Sequence, residues 1–220
     1  MIIAIDGPAG AGKSTIAKKI AHKLNFLYID TGAMYRAFTY EILNKGIPFD
    51  DVNQIIKILE ETNISFNNKE IMLNNNSVTN EIRSKLVTSN VSALSAIPQV
   101  REKLVYLQRQ IASNCNSILD GRDIGTVVFP NADFKFFLTA SVQVRALRRY
   151  NELVNIDKAV NIEEIKSDIL KRDMMDSSRK TSPLIKADDA IEIDTSDKNI
   201  DEVVEIILKY VEGIKKNESI

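Results

Sequence analysis

The sequence predicts an α/β protein with a three-layer core, a parallel sheet of five strands held between layers of helices. Three observations predict it. Short apolar runs of strand length occur at residues 1–6, 26–30, 117–120, 134–139 and 190–194. Stretches with helical spacing separate them, and a repeated strand–helix alternation is the signal for parallel pairing through crossover helices. A glycine-rich segment sits at the first strand-to-helix turn.

The elements follow in order. Residues 1–6 are a buried strand, and after the turn Ile16, Ile20 and Leu24 mark one face of a helix. The strand at 26–30 ends in Asp30. The helix after it, 33–43, can be capped by Thr31 or Asp30 and is stopped by Gly46 and Pro48. Asp30, Thr31, Tyr35 and Arg36 therefore fall at a C-terminal strand end, where parallel sheets bind ligands. Residues 50–62 read as helical.

From Ile64 the rhythm breaks. Apolar alternation at Ile64, Phe66, Ile71, Leu73 and Val78, interrupted by Asn67-Asn68-Lys69 and a turn at Asn74, Asn75 and Asn76, predicts a small inserted antiparallel hairpin. Helices at 87–96 and 98–112 come next, the second with Val100, Leu104, Leu107 and Ile111 on one face. The strand at 117–120 ends in Asp120 and leads into Gly121-Arg122-Asp123-Ile124-Gly125. After the strand at 134–139, Ser141 opens a helix carrying Arg145, Arg148 and Arg149. A break near 155–157 precedes a helix at 162–176. The strand at 190–194 and an amphipathic helix at 200–211, capped in the Ser196/Asp197 region, close the chain.

Gly7-Pro8-Ala9-Gly10-Ala11-Gly12-Lys13-Ser14-Thr15 fits G-x-x-x-x-G-K-[ST] on the strand-to-helix turn the pattern requires. Glycines let the backbone wrap closely around an anion. The N–H groups at the helix start then point at phosphates, with the helix dipole behind them. Lys13 reaches the β- and γ-phosphates, the Ser14 hydroxyl ligates Mg²⁺, and Thr15 lies by the α-phosphate. The segment thus predicts a nucleoside-triphosphate binder. Asp120 occupies the position of an acid that assists Mg²⁺ or its waters; a turn cap is the other reading, and Asp6 carries the same ambiguity.

Composition narrows the class. The net charge of −1 argues against a general nucleic-acid or membrane-surface binder, so any positive site is local. Cys115, the one cysteine, excludes an internal disulfide and suits a reducing cytosol; it is expected to be an inert thiol. No apolar run is long enough to span a bilayer, and the chain starts directly on its first strand with no room for a signal peptide. A cytoplasmic monomer is the expectation, since no exposed apolar stripe stands out.

Arg36, Arg101, Arg122, Arg145, Arg148, Arg149, Arg172 and Arg179 spread through this near-neutral chain. Any one is a solvated residue by default, and Arg148 is left so. Together they suit phosphoryl transfer, which needs positive forks around several phosphates. His22, the single histidine, lies mid-helix and is read as structural. An alcohol acceptor usually wants a carboxylate base. A phosphomonoester, with its second pKa near ~6, is already ionised and needs none.

Taken together, these segments resemble the bacterial cytidylate kinase family of nucleoside monophosphate kinases. The resemblance runs almost end to end. It rests on Ile5-Asp6 with the loop through Thr15, on Asp30-Thr31-Gly32-Ala33-Met34-Tyr35-Arg36, on Asp120-Gly121-Arg122-Asp123-Ile124-Gly125-Thr126-Val127-Val128-Phe129-Pro130, and on Arg172-Asp173-Met174-Met175-Asp176-Ser177-Ser178-Arg179-Lys180-Thr181-Ser182-Pro183-Leu184. The third is the most specific. The resemblance implies transfer from ATP to CMP or dCMP with Mg²⁺. It implies a three-layer P-loop kinase core, a monophosphate-binding insert at about 31–95 with its hairpin at about 64–80, and a helical lid at about 148–172. By motif, Thr31 and Arg36 contact CMP, Ser92 and Arg101 read the cytosine ring, Arg122 holds the CMP phosphate and Asp123 accepts from the cytosine amino group. Arg172 bridges the phosphates in transit, Asp176 accepts from the sugar hydroxyls, Arg179 assists beside the phosphate and sugar, and Arg145 lies over adenine. Thr31 stands where many members carry Ser, keeping the hydroxyl and adding a methyl.

Two other readings compete. Another small-molecule P-loop kinase is the first; an adenylate kinase is expected to lack Gly-Arg-Asp-Ile-Gly. A non-catalytic nucleotide switch is the second, but it need not keep Arg36, Arg122, Arg172 and Arg179 for a second phosphate.

Overall fold

In the computed structural model, which describes residues 1–67, 70–154, 158 and 160–217 with side chains to 213, the expected core strands are Ile2–Asp6 (β1), Leu27–Asp30 (β2), Ser117–Gly121 (β6), Phe134–Thr139 (β7) and Ile191–Asp194 (β8). The hairpin turn at Asn68 and Lys69 and the break at 155–157 lie outside the described residues. The sheet order is β2-β6-β1-β7-β8. β1 runs parallel to both β6 and β7, and β7 runs parallel to β8. In this register Ile5 faces Asp120 and Asp6 faces Gly121. Parallel pairing thus carries Asp6 and Asp120 to the same, C-terminal, end of the strands.

The chain divides into two compact units. The first, Met1–Ile29 with Ala112–Ile220, holds the phosphate loop. Ile3, Ala4 and Ile5 of β1 are wholly buried, as expected of a strand covered on both faces. Helix α1 (Lys13–Leu24) and helix α8 (Ile200–Asn217) interlock through Ile16, Ala17, Ile20, Val203, Val204, Ile207 and Val211. α8 is capped at Asn199 rather than at Ser196 or Asp197. The Glu202 N–H donates to Asn199 Oδ1 at 3.0 Å and the Asn199 N–H donates to Glu202 Oε2 at 2.8 Å. This reciprocal box satisfies two otherwise unpaired donors. Ser196 is engaged elsewhere, its hydroxyl accepting from the Ser141 N–H at 2.9 Å.

Helices α6 (Val142–Leu153) and α7 (Ile162–Ser177) pack on each other through Ala146, Ile165 and Ile169. A π-helical turn at Ile124–Val128, which the sequence pattern does not announce, follows β6.

The second unit, Asp30–Ile111, has its own core of Met34, Phe38, Ile42, Ile55, Leu94 and Leu104. It contains α2 (Thr31–Asn44), α3 (Val52–Glu61), β3 (Ile64–Asn67), β4 (Glu70–Leu73), β5 (Asn76–Ser77), α4 (Lys85–Ser95) and most of α5 (Pro98–Ala112). The expected hairpin is a three-stranded antiparallel sheet. Asn74 and Asn75 adopt φ of 49° and 67°, a region Asn tolerates, and so return the chain for the short third strand.

Candidate active site

The phosphate loop is shaped by what its glycines omit. Gly7 has φ of 145°, and a Cβ there would lie 2.1 Å from the Leu138 carbonyl oxygen of β7. Gly10, at φ of 78°, has Arg145 Cβ 3.0 Å from the position of a Cβ. The helix behind the loop is unusual in this chain. α2, α3, α4, α6 and α7 are capped by the side chains of Asp30, Asp51, Ser84, Ser141 and Asn161. α1 has Gly12 at its N-cap, no side-chain cap and no acid in its first turn. Its leading N–H groups and positive dipole end are thereby kept for an external anion.

Lys13 is buried, and its Nζ donates to the Pro8 carbonyl oxygen of the same loop at 2.8 Å. Burial, and then the neighbouring guanidinium groups of Arg122 and Arg172, push its pKa well below the ordinary lysine value. Asp120 and Asp6 act in the opposite sense. A polyanion would stabilise this cluster of positive charge.

Both Asp120 oxygens are engaged. Oδ2 accepts from the Ser14 hydroxyl and Oδ1 from the Tyr28 hydroxyl, each at 2.7 Å. Ser14 and Asp120, read separately from sequence as metal residues, therefore sit side by side. Two hard oxygen donors fit Mg²⁺, which keeps waters and takes phosphate oxygens rather than filling a protein cage. Asp6 takes its other reading, that of a turn cap. Its two oxygens accept from the Ile124 and Gly125 N–H groups at 2.9 and 2.7 Å, holding the π-helical turn.

A second cluster is centred on Asp176, which is 3% exposed. Arg122 Nε donates to its Oδ2 at 2.9 Å, and Arg179 Nη2 lies 2.7 Å from its Oδ1. Burial pushes this carboxyl up, but Arg122, Arg179 and Arg172 together hold it below the usual carboxylate range. Three of the arginines assigned to phosphates are thus gathered around one ionised acid. Asp123 is buried at the start of the π-helical turn.

In the second unit Asp30 caps α2 by accepting from the Ala33 N–H at 2.8 Å and pairs with Arg36 at 3.2 Å. Thr31 and Ser92 are buried. The Arg101 guanidinium lies 5.2 Å from the Tyr35 ring centroid and donates to the Ser95 carbonyl oxygen at 3.2 Å.

Comparison with known proteins decides the family. The cytidylate kinase family model matches residues 3–213. The chain belongs to the cytidylate kinase family. A cytidylate kinase of Caldanaerobacter subterraneus is 52% identical over 215 residues, covering 98% of this chain and 95% of that one. One of Clostridioides difficile is 50% identical over 211 residues, covering 96% and 98%. Among solved structures, a gluconokinase from Sinorhizobium meliloti aligns over 99% of this chain and 94% of its own with a TM-score of 0.51 at 14% identity, a likeness of fold. The five-stranded parallel α/β core expected from sequence is present, and its fold is shared with that structure.

In this cytidylate kinase family member, several residues around the loop escaped the sequence reading. Arg148 is not a solvated surface residue: its guanidinium donates to the Thr195 hydroxyl at 3.0 Å and to the Thr195 carbonyl oxygen. Thr195 in turn donates toward the Thr139 and Ala11 carbonyl oxygens at 3.0 and 3.3 Å. Asp173 accepts from Arg145, which also donates to the loop carbonyl of Ala9. The spacing of arginines on α6 by three was the available signal, since Arg145 and Arg148 share one helix face. His22 is exposed in the last turn of α1, and Cys115 is exposed with its Sγ 3.3 Å from the Ser117 hydroxyl. No described helix is long and apolar enough to cross a membrane.

Proposed function

We propose that this kinase transfers the γ-phosphoryl group of ATP to the phosphate of CMP or dCMP, giving ADP and CDP or dCDP. The observation that carries the reading is the set of guanidinium groups around Asp176, two of which, Arg122 and Arg172, also bear on Lys13. Such a set neutralises charge on a donor phosphate and on an acceptor phosphate together, and phosphoryl transfer depends mainly on positioning and charge stabilisation.

In this reading the loop from Gly7 to Thr15 takes the triphosphate. Lys13 exchanges the Pro8 carbonyl for phosphate oxygens. Ser14 and Asp120 hold Mg²⁺, which supplies charge neutralisation on the phosphate oxygens when bound. Arg36, Arg122 and Arg172 hold the acceptor phosphate and the group in transit. Asp176 serves the sugar, turning from its arginines to the hydroxyls, and Arg179 assists beside the phosphate and sugar. Ser92, Arg101 and Asp123 match the hydrogen-bonding edge of cytosine, and Arg145 lies at the adenine side. The acceptor is an ionised phosphomonoester, so no side chain has to remove a proton. Closure of the lid at about 148–172 over the nucleotides would exclude water. A reducing cytosol is in keeping with the single thiol Cys115.

Phosphorus NMR of the protein with ATP, Mg²⁺ and CMP tests the reading. Resonances of CDP should grow with those of ADP. Inorganic phosphate and ADP without CDP would indicate a hydrolysing switch and overturn it.

A further inference from the structure

We infer that Asp173 is a positioning residue for the donor site: it holds the Arg145 guanidinium against the Ala9 peptide and so joins the phosphate loop to helix α7. The inference rests on the reading of the loop as the ATP site. Asp173 Oδ2 lies 2.6 Å from Arg145 Nη1. The same Nη1 donates to the Ala9 carbonyl oxygen at 2.9 Å, and Arg145 Nε donates to the Ala140 carbonyl oxygen at 2.9 Å. Asp173 Oδ1 accepts from the Ala9 N–H at 3.4 Å. Both polar groups of one loop residue are therefore closed by one ion pair.

The pair is well placed to transmit position. The Arg145 side chain is 5% exposed, so three acceptors fix its fork in one pose. α6 presses on the loop at Gly10, where a Cβ would come within 3.0 Å of Arg145 Cβ. Asp173 is preceded by Arg172 on the same helix and followed one turn later by Asp176. A displacement of Ala9 as the triphosphate enters thus acts on the ion pair, and through it on the helix that carries the arginine for the phosphate in transit. Close packing transmits small shifts of this kind. A misplacement of about 1 Å can cost about 100-fold in rate. Asp173 touches no reacting atom in this account; it acts through Arg145.

Asp173→Asn, which keeps the shape and removes the charge, tests the inference. Steady-state kinetics should show KM for ATP raised about tenfold or more and KM for the acceptor within about threefold of wild type. Because Asp173 works through Arg145, the double variant Asp173→Asn/Arg145→Ala should be no worse in kcat/KM for ATP than Arg145→Ala alone. An unchanged KM for ATP, or losses that multiply in the double variant, would overturn it. If Asp173→Asn does not fold, Arg145→Lys, which keeps the charge and loses the fork, should give the same split between the two KM values, and a wild-type KM for ATP there overturns the inference. The acceptor used is whichever monophosphate the wild type turns over, so failure of the cytidine assignment and failure of the Asp173 role are read separately.

Discussion

The Ser14 hydroxyl donates to Asp120 Oδ2 at 2.7 Å, joining the first turn of α1 to the end of β6. The two residues are 106 positions apart and meet because β6 pairs directly with β1. Asp120→Asn keeps a hydrogen-bonding oxygen but removes the charge that favours a divalent cation. The Mg²⁺ concentration for half-maximal turnover should rise about 10- to 100-fold, the range for loss of a group that orients a metal site. Titration of activity with Mg²⁺ at saturating ATP measures it, and an unshifted curve contradicts the assignment.

Arg122 is held by Asp176 and bears on Lys13. Arg122→Ala should lower turnover by two orders of magnitude or more, about 3 kcal/mol of lost transition-state stabilisation. Steady-state kinetics with saturating ATP and CMP would show it. Unchanged turnover would remove Arg122 from the acceptor site.

How much of this was legible beforehand depended on range. The core strands were readable because a strand buried on both faces, such as Ile2–Asp6, is a continuous apolar run. The loop was readable because its glycines, Lys13 and Ser14 are contiguous. Ser14 and Asp120 could each be named, but only the sheet order makes them neighbours. Asp173 and Thr195 were not legible, since their partners lie up to 184 residues away and nothing in an isolated Asp or Thr announces such a partner. The α8 cap was misplaced for a local reason. Ser196, Asp197 and Asn199 are all good caps, and the reciprocal bond from Glu202 selects Asn199.

Asp6 makes stability depend on pH. Its burial pushes the carboxyl from 3.8 up to about 6, against the two N–H groups it accepts. A raised folded-state pKa gives a contribution that is complete below about pH 4 and is lost as pH rises through about 6. About two units correspond to about 3 kcal/mol. In urea unfolding, the stability of wild type minus that of Asp6→Asn should fall by that order between pH 4 and pH 7. An equal difference at both pH values would contradict the burial cost.

Gly7 and Gly46 both have positive φ, but a Cβ at Gly7 would strike the Leu138 carbonyl oxygen whereas nothing lies within 4 Å at Gly46. Gly46→Ala should cost about 1 kcal/mol from backbone conformation alone. Gly7→Ala must part the loop from β7 and should cost on the order of 3 kcal/mol or more. Thermal melts should separate the two variants by several degrees, and matching midpoints would contradict the close approach.

In the proposed function the arginine-lined site serves a cytidine monophosphate. A coupled ADP assay across CMP, dCMP, UMP, AMP and GMP tests it most directly. The highest kcat/KM is expected with CMP or dCMP, with little ADP when no acceptor is added. Equal or greater turnover with AMP, or rapid ADP release with no monophosphate present, would contradict it.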